Sequence, residues 1–408
     1  MTKSDDKRVP ALRFKGFTDE WEQRKLENLV DFYSGLTYHP ENIRKKGIFV
    51  IRSSNIKDGQ LVTGDDIFVA PEIVNSTYVK KDDIIVVVRN GSRKLIGKHT
   101  KLNFNLNNAV IGAFMTGIRS NNNNFINAIF DSDNFKREIH KNLGATINQI
   151  TTGEFKKMNF YIPSLTSEQN YLGNLIKTMN TLITLQQRKE KQLKLLKTAM
   201  LQTLFTKKNV PQLRFKGFTD TWKQRKLGEV TKIVSGGTPS TNISKYWNGN
   251  INWYSPTEIG NQTFVNSSKK KITELGLKES SAKLLPGKKT ILFTSRAGIG
   301  DMAIMNTDGS TNQGFQSWVV KPHITDIYFL YSLGSKLKKQ ALRKASGSTF
   351  LEISNSEVKK LTLYLPGFKE QTIIGKIIEL IDKLITFQQG KTNKLESLKQ
   401  FLLQNMFI

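Results

Sequence analysis

The sequence PALRFKGFTD at residues 10–19 returns almost unchanged as PQLRFKGFTD at residues 211–220. A tryptophan follows each copy, Trp21 or Trp222, and one residue later comes Gln-Arg-Lys-Leu. A repeat this close indicates a tandem duplication. The chain of 408 residues also has the length expected for two domains and their connections. The sequence therefore predicts two halves built on one plan.

A second repeated block closes each half, and the region between the blocks differs. Only scattered features match between residues 30–140 and 231–340, among them Ser92-Arg93 with Ser295-Arg296 and Ile96-Gly97 with Ile299-Gly300. A frame kept twice around two different regions is typical of modules tuned to different ligands. The closing block contains Gly144-Ala-Thr146 and Gly347-Ser-Thr349, Glu154-Phe-Lys-Lys157 and Glu357-Val-Lys-Lys360, Tyr161-Ile-Pro163 and Tyr364-Leu-Pro366, Glu168-Gln169 and Glu370-Gln371, and residues 182–187 and 384–389.

The differing regions indicate a mixed α/β fold. β-Branched and aromatic runs of strand length occur at residues 84–88, 290–293, 48–52 and 251–254, with clusters of Gly, Asn and Ser between them. Residues 324–345 have a helical pattern, which residues 124–142 share more weakly.

Each half ends in a segment with the apolar spacing of a coiled-coil seam. The apolar positions are 172, 175/176, 179, 182/183, 193, 196, 200 and 204 in the first copy and 374, 377/378, 381, 384/385, 395, 398 and 402 in the second. Thr166 and Gln169 are spaced as a capping box. Gly390 weakens the second helix. Polar residues interrupt the seams at equivalent places, and we expect Gln186, Gln187, Gln388 and Gln389 to fix the register of an antiparallel helix pair.

The charge balance points to a polyanionic partner. The chain has 62 Lys and Arg against 34 Asp and Glu, a formal net charge of +28. Residues 1–205 contribute +11 and residues 206–408 contribute +17, so the excess is global. Such a field attracts nucleic acid, although a lysine-rich proteome would give the same composition. The absence of cysteine excludes disulfides and thiolate metal sites, and with no apolar signal segment it favours the cytoplasm.

Together the duplicated order of globular domain and long helix, the closing block and the stretch Ser-Gly-Gly-Thr-Pro-Ser-Thr at residues 235–241 resemble the specificity (S) subunits of type I restriction-modification systems. The resemblance covers essentially residues 10–408. It implies two target-recognition domains that each read one half of a bipartite, asymmetric sequence in double-stranded DNA. The helices would set the unread spacer. In the first half Ser34-Gly-Leu-Thr-Tyr38 departs from the Gly-Gly-Thr-Pro form.

The same resemblance implies partner subunits and a division of the chain. Two methyltransferase (M) subunits would hold S-adenosylmethionine, and restriction/motor (R) subunits would use ATP and Mg, leaving this chain without a cofactor. The expected boundaries are a disordered N-terminus at 1–9, target-recognition domains at 10–163 and 211–365, coiled-coil helices at 164–206 and 366–408, and a linker at 207–210.

No catalytic centre is predicted. An amino-methyltransferase motif would need Pro-Pro, which is absent, and the P-loop-like run from Gly91 to His99 has one residue too many and lacks the Ser/Thr. Glu154-Phe-Lys156 and Glu357-Val-Lys359 resemble the Glu-x-Lys of nucleases, but no Pro-Asp precedes them. The four histidines, at 39, 99, 140 and 323, lack metal-ligand spacing.

Candidate DNA contacts lie where strands run into polar loops. Arg pairs with guanine and Asn with adenine, whereas Lys more often contacts phosphate, and loop polarity alone explains any single residue equally well. We expect Arg93→Ala and Arg296→Ala each to relax or abolish recognition of one half-site. The candidates are Arg89, Asn90, Ser92, Arg93, Lys94, Asn107, Asn108, Trp253, Tyr254, Lys269, Lys270, Lys271, Ser295, Arg296, Asn312 and Gln313.

A duplicated basic RNA-binding or scaffold protein is the alternative. An RNA reader would be expected to carry repeated aromatic stacking platforms on a sheet, which this sequence does not show. Binding to single-stranded RNA without preference for a duplex would favour that alternative.

Overall fold

The computed structural model describes residues 8–143, 148–206, 209–260, 262–296, 298–347 and 351–408. The chain forms two compact units, Met1–Gln187 with Gly390–Ile408, and Arg188–Gln389. Several predictions lie outside the described residues. They concern the first Gly-x-Thr run at 144–146, residues 348 and 349 of the second run, most of the N-terminal segment, and Lys207 and Lys208 of the predicted linker.

The first unit is built on antiparallel strands with one parallel pair. Its strands are β1 Glu22–Lys25, β2 Asp31–Ser34, β3 Ile43–Arg44, β4 Ile48–Ile51, β5 Ile56–Lys57, β6 Gln60–Leu61, β7 Ile67–Val69, β8 Ile84–Val87, β9 His99–Lys101, β10 Ala109–Ile111, β11 Met115–Arg119 and β12 Asn159–Ile162. The sheets have the orders β2-β11-β8-β9, β10-β4-β7-β3, β1-β12 and β5-β6, and β10 pairs with β4 in parallel.

The helices of the first unit cover its main sheet. They are α1 Asn123–Asp131, α2 Asp133–Asn142 and α3 Thr152–Lys157, followed by the long helix α4 Thr166–Leu204, of which this unit holds the part up to Gln187. The strand predicted at 84–88 is confirmed and is buried along its whole length. The helix predicted at 124–142 is two helices, because the side chain of Ser132 accepts from the backbone of Phe135 and caps a new start.

The second unit repeats this plan. Its strands are β13 Lys223–Lys226, β14 Thr231–Ser235, β15 Trp247–Tyr254, β16 Phe264–Val265, β17 Lys270–Ile272, β18 Thr290–Phe293, β19 Met302–Met305, β20 Gly309–Thr311, β21 Gln316–Val320 and β22 Thr362–Leu365. The sheets have the orders β14-β21-β18-β19-β16, β17-β15-β20 and β13-β22. The pairing of β15 with β20 is parallel, as in the first unit, and β16 with β19 forms a second parallel pair.

The helices of the second unit are α5 Leu227–Val230, α6 Glu274–Lys278, α7 Ile327–Ser332, α8 Gly334–Lys344, α9 Asn355–Lys359 and the long helix α10 Phe368–Met406, of which this unit holds the part up to Gln389. The helix predicted at 324–345 is again a pair, divided at Leu333. The mixed α/β fold with two repeated domains and long helices is confirmed.

Both units draw on both long helices, so the compact units do not follow the predicted domain boundaries. In the first unit Met406 and Phe407 join the core, and Phe407 meets Trp21 edge to face at 6.3 Å. Leu204 and Phe205 do the same in the second unit, where the rings of Phe205 and Trp222 are 6.1 Å apart. The end of one helix and the start of the other therefore complete each core.

The apolar spacing correctly predicts buried positions in the first half of each helix, where Leu172, Ile176, Ile374 and Ile378 pack into the domain cores, and it is wrong for one position in the second half. Leu172, Ile176, Met179 and Ile183 are buried, as are Ile374, Ile378, Ile381 and Ile385. The expected seam residues Leu196 and Leu398 are instead about half exposed, at 51% and 46%. Their neighbours Lys197 and Lys399 turn inward to pair with Asp382 and Asp131, respectively.

The start of each long helix is held by the repeated Glu-Gln pair. Glu168 binds Arg13 in the first unit, and Glu370 binds Arg214 in the second. Gln169 donates to the carbonyl of Pro163 at 2.9 Å, and Gln371 to that of Pro366 at 3.0 Å. The predicted capping box of Thr166 and Gln169 is wrong, because Thr166 already belongs to the helix and the carbonyl of the preceding Leu165 accepts from Gln169 N.

Candidate DNA interface

Each unit carries a polar loop directly after the central strand of its main sheet. The first loop, residues 88–96, leaves β8 and closes where Gly97 N donates to Val87 O at 2.9 Å. The second loop runs from Ser295 to Ile299, with Ala297 outside the described residues, and closes where Gly300 N donates to Thr294 O at 2.9 Å. The match of Ile96-Gly97 with Ile299-Gly300 therefore holds in the structure, and the first loop is the longer of the two.

The extra length changes which arginines are equivalent. Val88 N donates to Phe114 O and Val88 O accepts from Ile150 N, whereas Ser295 N donates to Gly314 O and Ser295 O accepts from Ile353 N. Val88 therefore occupies the place of Ser295, and the next residue, Arg89, occupies the place of Arg296. The sequence match of Arg93 with Arg296 is wrong, because Arg93 lies in the additional residues of the first loop.

The two equivalent arginines have different neighbours. Arg89 is exposed, and its guanidinium carbon lies 5.1 Å from the centre of the Phe114 ring. Arg296 Nε lies 2.8 Å from the carboxylate of Glu352, and the two side chains are 46% and 34% exposed. Both arginines are thus accessible and braced from one side.

The amide candidates mainly organise the loops. Asn90 donates to Ser53 Oγ at 3.0 Å and accepts from Ser92 N at 2.9 Å. Asn312 accepts from Gly314 N, and Gln313 accepts from the hydroxyl of Thr238. Because reading adenine uses both ends of an amide, these bonds favour a structural role for Asn90 and leave Asn312 and Gln313 one donor group each.

The remaining loop candidates are exposed. Ser92, Arg93 and Lys94 lie on the first loop, with Arg93 and Lys94 in a single 3-10 turn. Asn107 and Asn108 are also exposed, but Asn108 has a φ of 59°, a left-handed turn conformation that asparagine tolerates well. The turn therefore explains Asn108 without DNA.

Three candidates, Trp253, Tyr254 and Ser295, belong to the core. Trp253 and Tyr254 are 7% and 0% exposed, and Ser295 is fully buried. Asn252, Trp253 and Tyr254 pair with β20 as Phe49, Val50 and Ile51 pair with β10, so the two aromatic residues take the places of aliphatic core residues. Groups packed in this way cannot reach a base edge while the unit stays folded.

The lysine run Lys269-Lys-Lys271 is exposed at the edge of its sheet. Lys269 N donates to Glu258 at 2.7 Å, and the ammonium of Lys270 lies 5.7 Å from the centre of the Trp247 ring. The run is accessible to a phosphate backbone, which is the role expected from the sequence.

Residues 18–195 and 219–397 match the family model described as the type I restriction modification DNA specificity domain. The chain belongs to this family. The resemblance seen in the duplicated frame is confirmed, and the two matched segments are its two specificity domains.

Curated relatives are specificity subunits of type I restriction enzymes. The MjaIX specificity subunit of Methanocaldococcus jannaschii is 35% identical over 190 residues, covering 46% of this chain and 44% of that protein. The EcoR124I/EcoR124II specificity subunit of Escherichia coli is 32% identical over 190 residues, 45% of each. The matches thus span less than half the length of these relatives.

A solved structure shares the fold over nearly the whole chain. The crystal structure of a type I restriction-modification S subunit from M. genitalium superposes with a TM-score of 0.67 at 15% identity, covering 98% of this chain and 99% of that one. At this identity the likeness concerns the fold alone.

In the second specificity domain, glycines allow the Ser-Gly-Gly-Thr-Pro stretch to lie against the core. A Cβ on Gly236 would overlap the carbonyl oxygen of Asn312, and one on Gly237 would overlap Ser281. Gly237 O accepts from Trp253 Nε1 at 2.9 Å. Leu36 takes the place of Gly237 in the first domain and is itself buried, which accounts for the departure from the Gly-Gly form.

A partly buried ionic cluster joins each specificity domain to the helices, and sequence patterns did not reveal it. In the first unit Asp131 meets His99 at 3.3 Å, Lys399 at 2.8 Å and Asn180 at 3.0 Å. Burial raises the pKa of Asp131, but the hydrogen bond from His99 and the charges of His99 and Lys399 outweigh it, so the pKa lies below its usual range. The carboxylate therefore stays ionised.

In the second unit the carboxylate of the cluster lies on the long helix instead of in the specificity domain. Asp382 of α10 accepts from Lys197 at 2.5 Å and from the hydroxyl of Tyr328 at 2.7 Å. Burial and the hydrogen bond to Asp382 raise the pKa of Tyr328. Lys197 and Lys399 are equivalent in the repeat. Their acidic partners are not, since Asp131 belongs to the first domain and Asp382 to α10.

The Glu-x-Lys runs serve as short-helix caps and surface ion pairs. Glu154 accepts from the backbone and hydroxyl of Thr151, both at 2.9 Å, and these bonds lower its pKa. Glu357 pairs with Lys360 and Lys344. Within the described part of the chain no group of three or more His, Asp or Glu side chains is placed to hold a metal ion. Nor is any described helix long and apolar enough to cross a membrane.

The glutamine positions remain partly a prediction. Gln187 Nε2 donates to the carboxylate of Glu396 at 3.2 Å, which links α4 to α10 within the first unit. This contact does not involve Gln186, Gln388 or Gln389, and a register role for these three residues remains a prediction.

Proposed function

We propose that the chain is the non-catalytic DNA-specificity subunit of a type I restriction-modification complex. Each specificity domain reads one part of a bipartite, asymmetric double-stranded target. The long helices set the unread spacer and dock two methyltransferase subunits and the restriction/motor subunits. S-adenosylmethionine, ATP and Mg belong to those partners in this proposal.

The observation that carries the proposal is one frame holding two different reading loops. The Arg-Glu clamp, the core tryptophan and the helix contacts recur in both units. The loops on that frame differ in length and in the neighbours of their arginines. Because two different loops lie on equivalent frames, we expect the two halves of the DNA target to differ.

The charge supports a duplex as the ligand. The net charge of +28 is spread over both halves, and Arg89, Arg93 and Lys94 are exposed on the first loop. Cationic loops of this kind gain affinity for DNA by releasing counterions. The cytoplasm, where such a complex would meet DNA, is the proposed location.

The helices supply a spacing element. Each long helix has 39 residues, or about 58 Å at 1.5 Å per residue. Equivalent faces of a DNA groove recur about every 34 Å. We therefore assign the spacer length to these helices, with the glutamine positions as register candidates.

Exposed apolar side chains on the helices offer a docking surface for protein partners. In the first unit they are Tyr171, Leu182, Leu185, Leu398 and Phe401, and in the second Leu195, Leu196, Leu380 and Leu384. Leu182 and Leu384 are equivalent in the repeat, as are Leu196 and Leu398. Rows of exposed apolar residues commonly mark interaction sites. Their recurrence supports two copies of one partner, the methyltransferase subunits.

The deciding experiment is methylome sequencing of cells with and without this gene. We expect one bipartite adenine-methylation motif, with two dissimilar halves, to disappear with the gene. An unchanged methylome in cells that express the chain would contradict the proposal. So would binding of the purified chain to single-stranded RNA without preference for duplex DNA.

A further inference from the structure

The two loop arginines stand at one structural position but are braced by different chemistry. Arg89 directly follows Val88, and Arg296 directly follows Ser295. The carbonyl oxygens of Val88 and Ser295 accept hydrogen bonds from Ile150 N and Ile353 N, which lie just before α3 and α9. Gln149 of the first unit is the counterpart of Glu352, since Ile150 and Ile353 make the same bond to the loop. Phe114 is the counterpart of Gly314. Each unit thus provides one brace, an aromatic ring or a carboxylate.

Neither brace is explained by the stability of the fold. An ion pair with partners 46% and 34% exposed contributes about 0–1 kcal/mol at most. Phe114 leaves 51% of its surface in solvent, which is unfavourable for a large apolar ring. Both groups do restrict the rotamers of a long side chain that would otherwise be free to move.

Both braces leave donors of the arginine available. A guanidinium carries five N–H donors in one plane, and a single carboxylate accepts a minority of them. The Phe114 ring below the guanidinium carbon of Arg89 has no oxygen or nitrogen acceptor, so this brace does not occupy the N–H donors. An arginine held in this way is prepared to make a bidentate contact with guanine O6 and N7.

We propose that Arg89 and Arg296 each read a guanine in their own half of the target. Phe114 positions the first arginine, and Glu352 positions the second. This inference rests on the proposed function and adds the residues and the base. The carboxylate of Glu352 also repels phosphates, so it favours a base contact over a backbone contact by opposing the alternative.

The test is selection of randomised DNA duplexes by the full chain, followed by sequencing and by affinity measurements at several salt concentrations. Arg296→Ala should lose guanine preference at one position of one half-site, by about 5- to 150-fold, the ratio for a bidentate contact of 1–3 kcal/mol. Arg89→Ala should do the same in the other half-site. Arg225→Ala, an exposed arginine elsewhere, is the matched control.

The positioning role is tested by variants that keep the arginine. Glu352→Gln should lower the same guanine preference several-fold and raise the affinity for unrelated duplexes, with unchanged thermal unfolding. Glu357→Gln, which removes another partly exposed carboxylate of this unit, should change neither. Arg296→Lys should keep the affinity for unrelated duplexes and lose the guanine preference, because a lysine does not make the forked contact.

Other outcomes would overturn the inference. Equal loss on all sequences, with the salt dependence falling by about one charge, would make the arginines phosphate contacts. An unchanged base preference in Glu352→Gln would remove the positioning role. If the wild-type chain selects two half-sites and the arginine variants leave both intact, only this inference fails. If it selects no sequence, the proposed function fails as well.

Discussion

Arg13 donates Nε and Nη2 to the two carboxylate oxygens of Glu168, at 2.6 and 2.8 Å. Arg214 and Glu370 repeat the arrangement in the second unit, at 2.9 and 2.8 Å. Glu168 and Glu370 are 1% exposed. The clamp ties the arm that precedes each specificity domain to the start of the helix that follows it, and so explains why both ends of each half are repeated in the sequence.

Breaking this clamp should destabilise its own unit. Glu168→Gln leaves the Arg13 charge buried without a carboxylate, and such a loss costs about 3–5 kcal/mol. We expect faster hydrogen exchange throughout the first unit, measured by mass spectrometry. Glu370→Gln should have the same effect in the second unit. The control is Glu22→Gln, whose pair with Arg24 is about half exposed and should contribute about 0–1 kcal/mol. Equal effects of Glu168→Gln and its control would refute the assignment.

Glycines in the long helices allow close packing against the domains. A Cβ on Gly173 would lie 2.5 Å from Phe125 N, and one on Gly375 would lie 2.9 Å from Phe329 N and overlap Asp326. Because backbone atoms cannot yield easily, Gly173→Ala and Gly375→Ala should each destabilise by about 1–3 kcal/mol in denaturant unfolding. Gly390 has nothing within 4 Å, so Gly390→Ala should stabilise by about 0.5–1 kcal/mol. A stabilising Gly173→Ala would contradict the packing.

Asp131 should make the first unit sensitive to acid. Its pKa in the folded state lies below the unfolded value, so its contribution is present above the unfolded pKa and is lost as the pH falls through the folded pKa. Asp131→Asn should cost about 3–5 kcal/mol near pH 7 and less at pH 3, as measured by unfolding at both values. Asp133→Asn, which removes a half-exposed partner of Lys136, should change little at either pH. A cost that is independent of pH would exclude the charge as its cause.

Arg93 should behave differently from Arg89. It lies in the additional residues of the first loop, outside the position that Arg89 shares with Arg296. We now expect Arg93→Ala to weaken binding to all duplexes alike and to lower the salt dependence by about one charge, as for a phosphate contact. Loss of a single base preference in duplex selection would instead restore Arg93 as a base reader.

Much of the architecture was predictable because it is written in local patterns. Strands at 84–87 and 290–293 follow from β-branched runs, and the buried faces at 172–183 and 374–385 follow from helical spacing. The prediction of buried seam positions is wrong at Leu196 and Leu398. The neighbouring Lys197 and Lys399 turn inward instead, because they pair with acids distant in sequence. A periodicity rule counts lysine as solvent-facing and has no access to such partners.

The sequence by itself determined the duplication, the repeated frame, the long helices and the family, because each rests on motifs and periodicities readable along one chain. Only the tertiary structure decided that Arg89 is the counterpart of Arg296, that Glu352 faces Arg296, and that Trp253 and Tyr254 belong to the core. Strand register and loop length set these relationships. Both depend on hydrogen bonds between segments far apart in sequence, which no local pattern specifies.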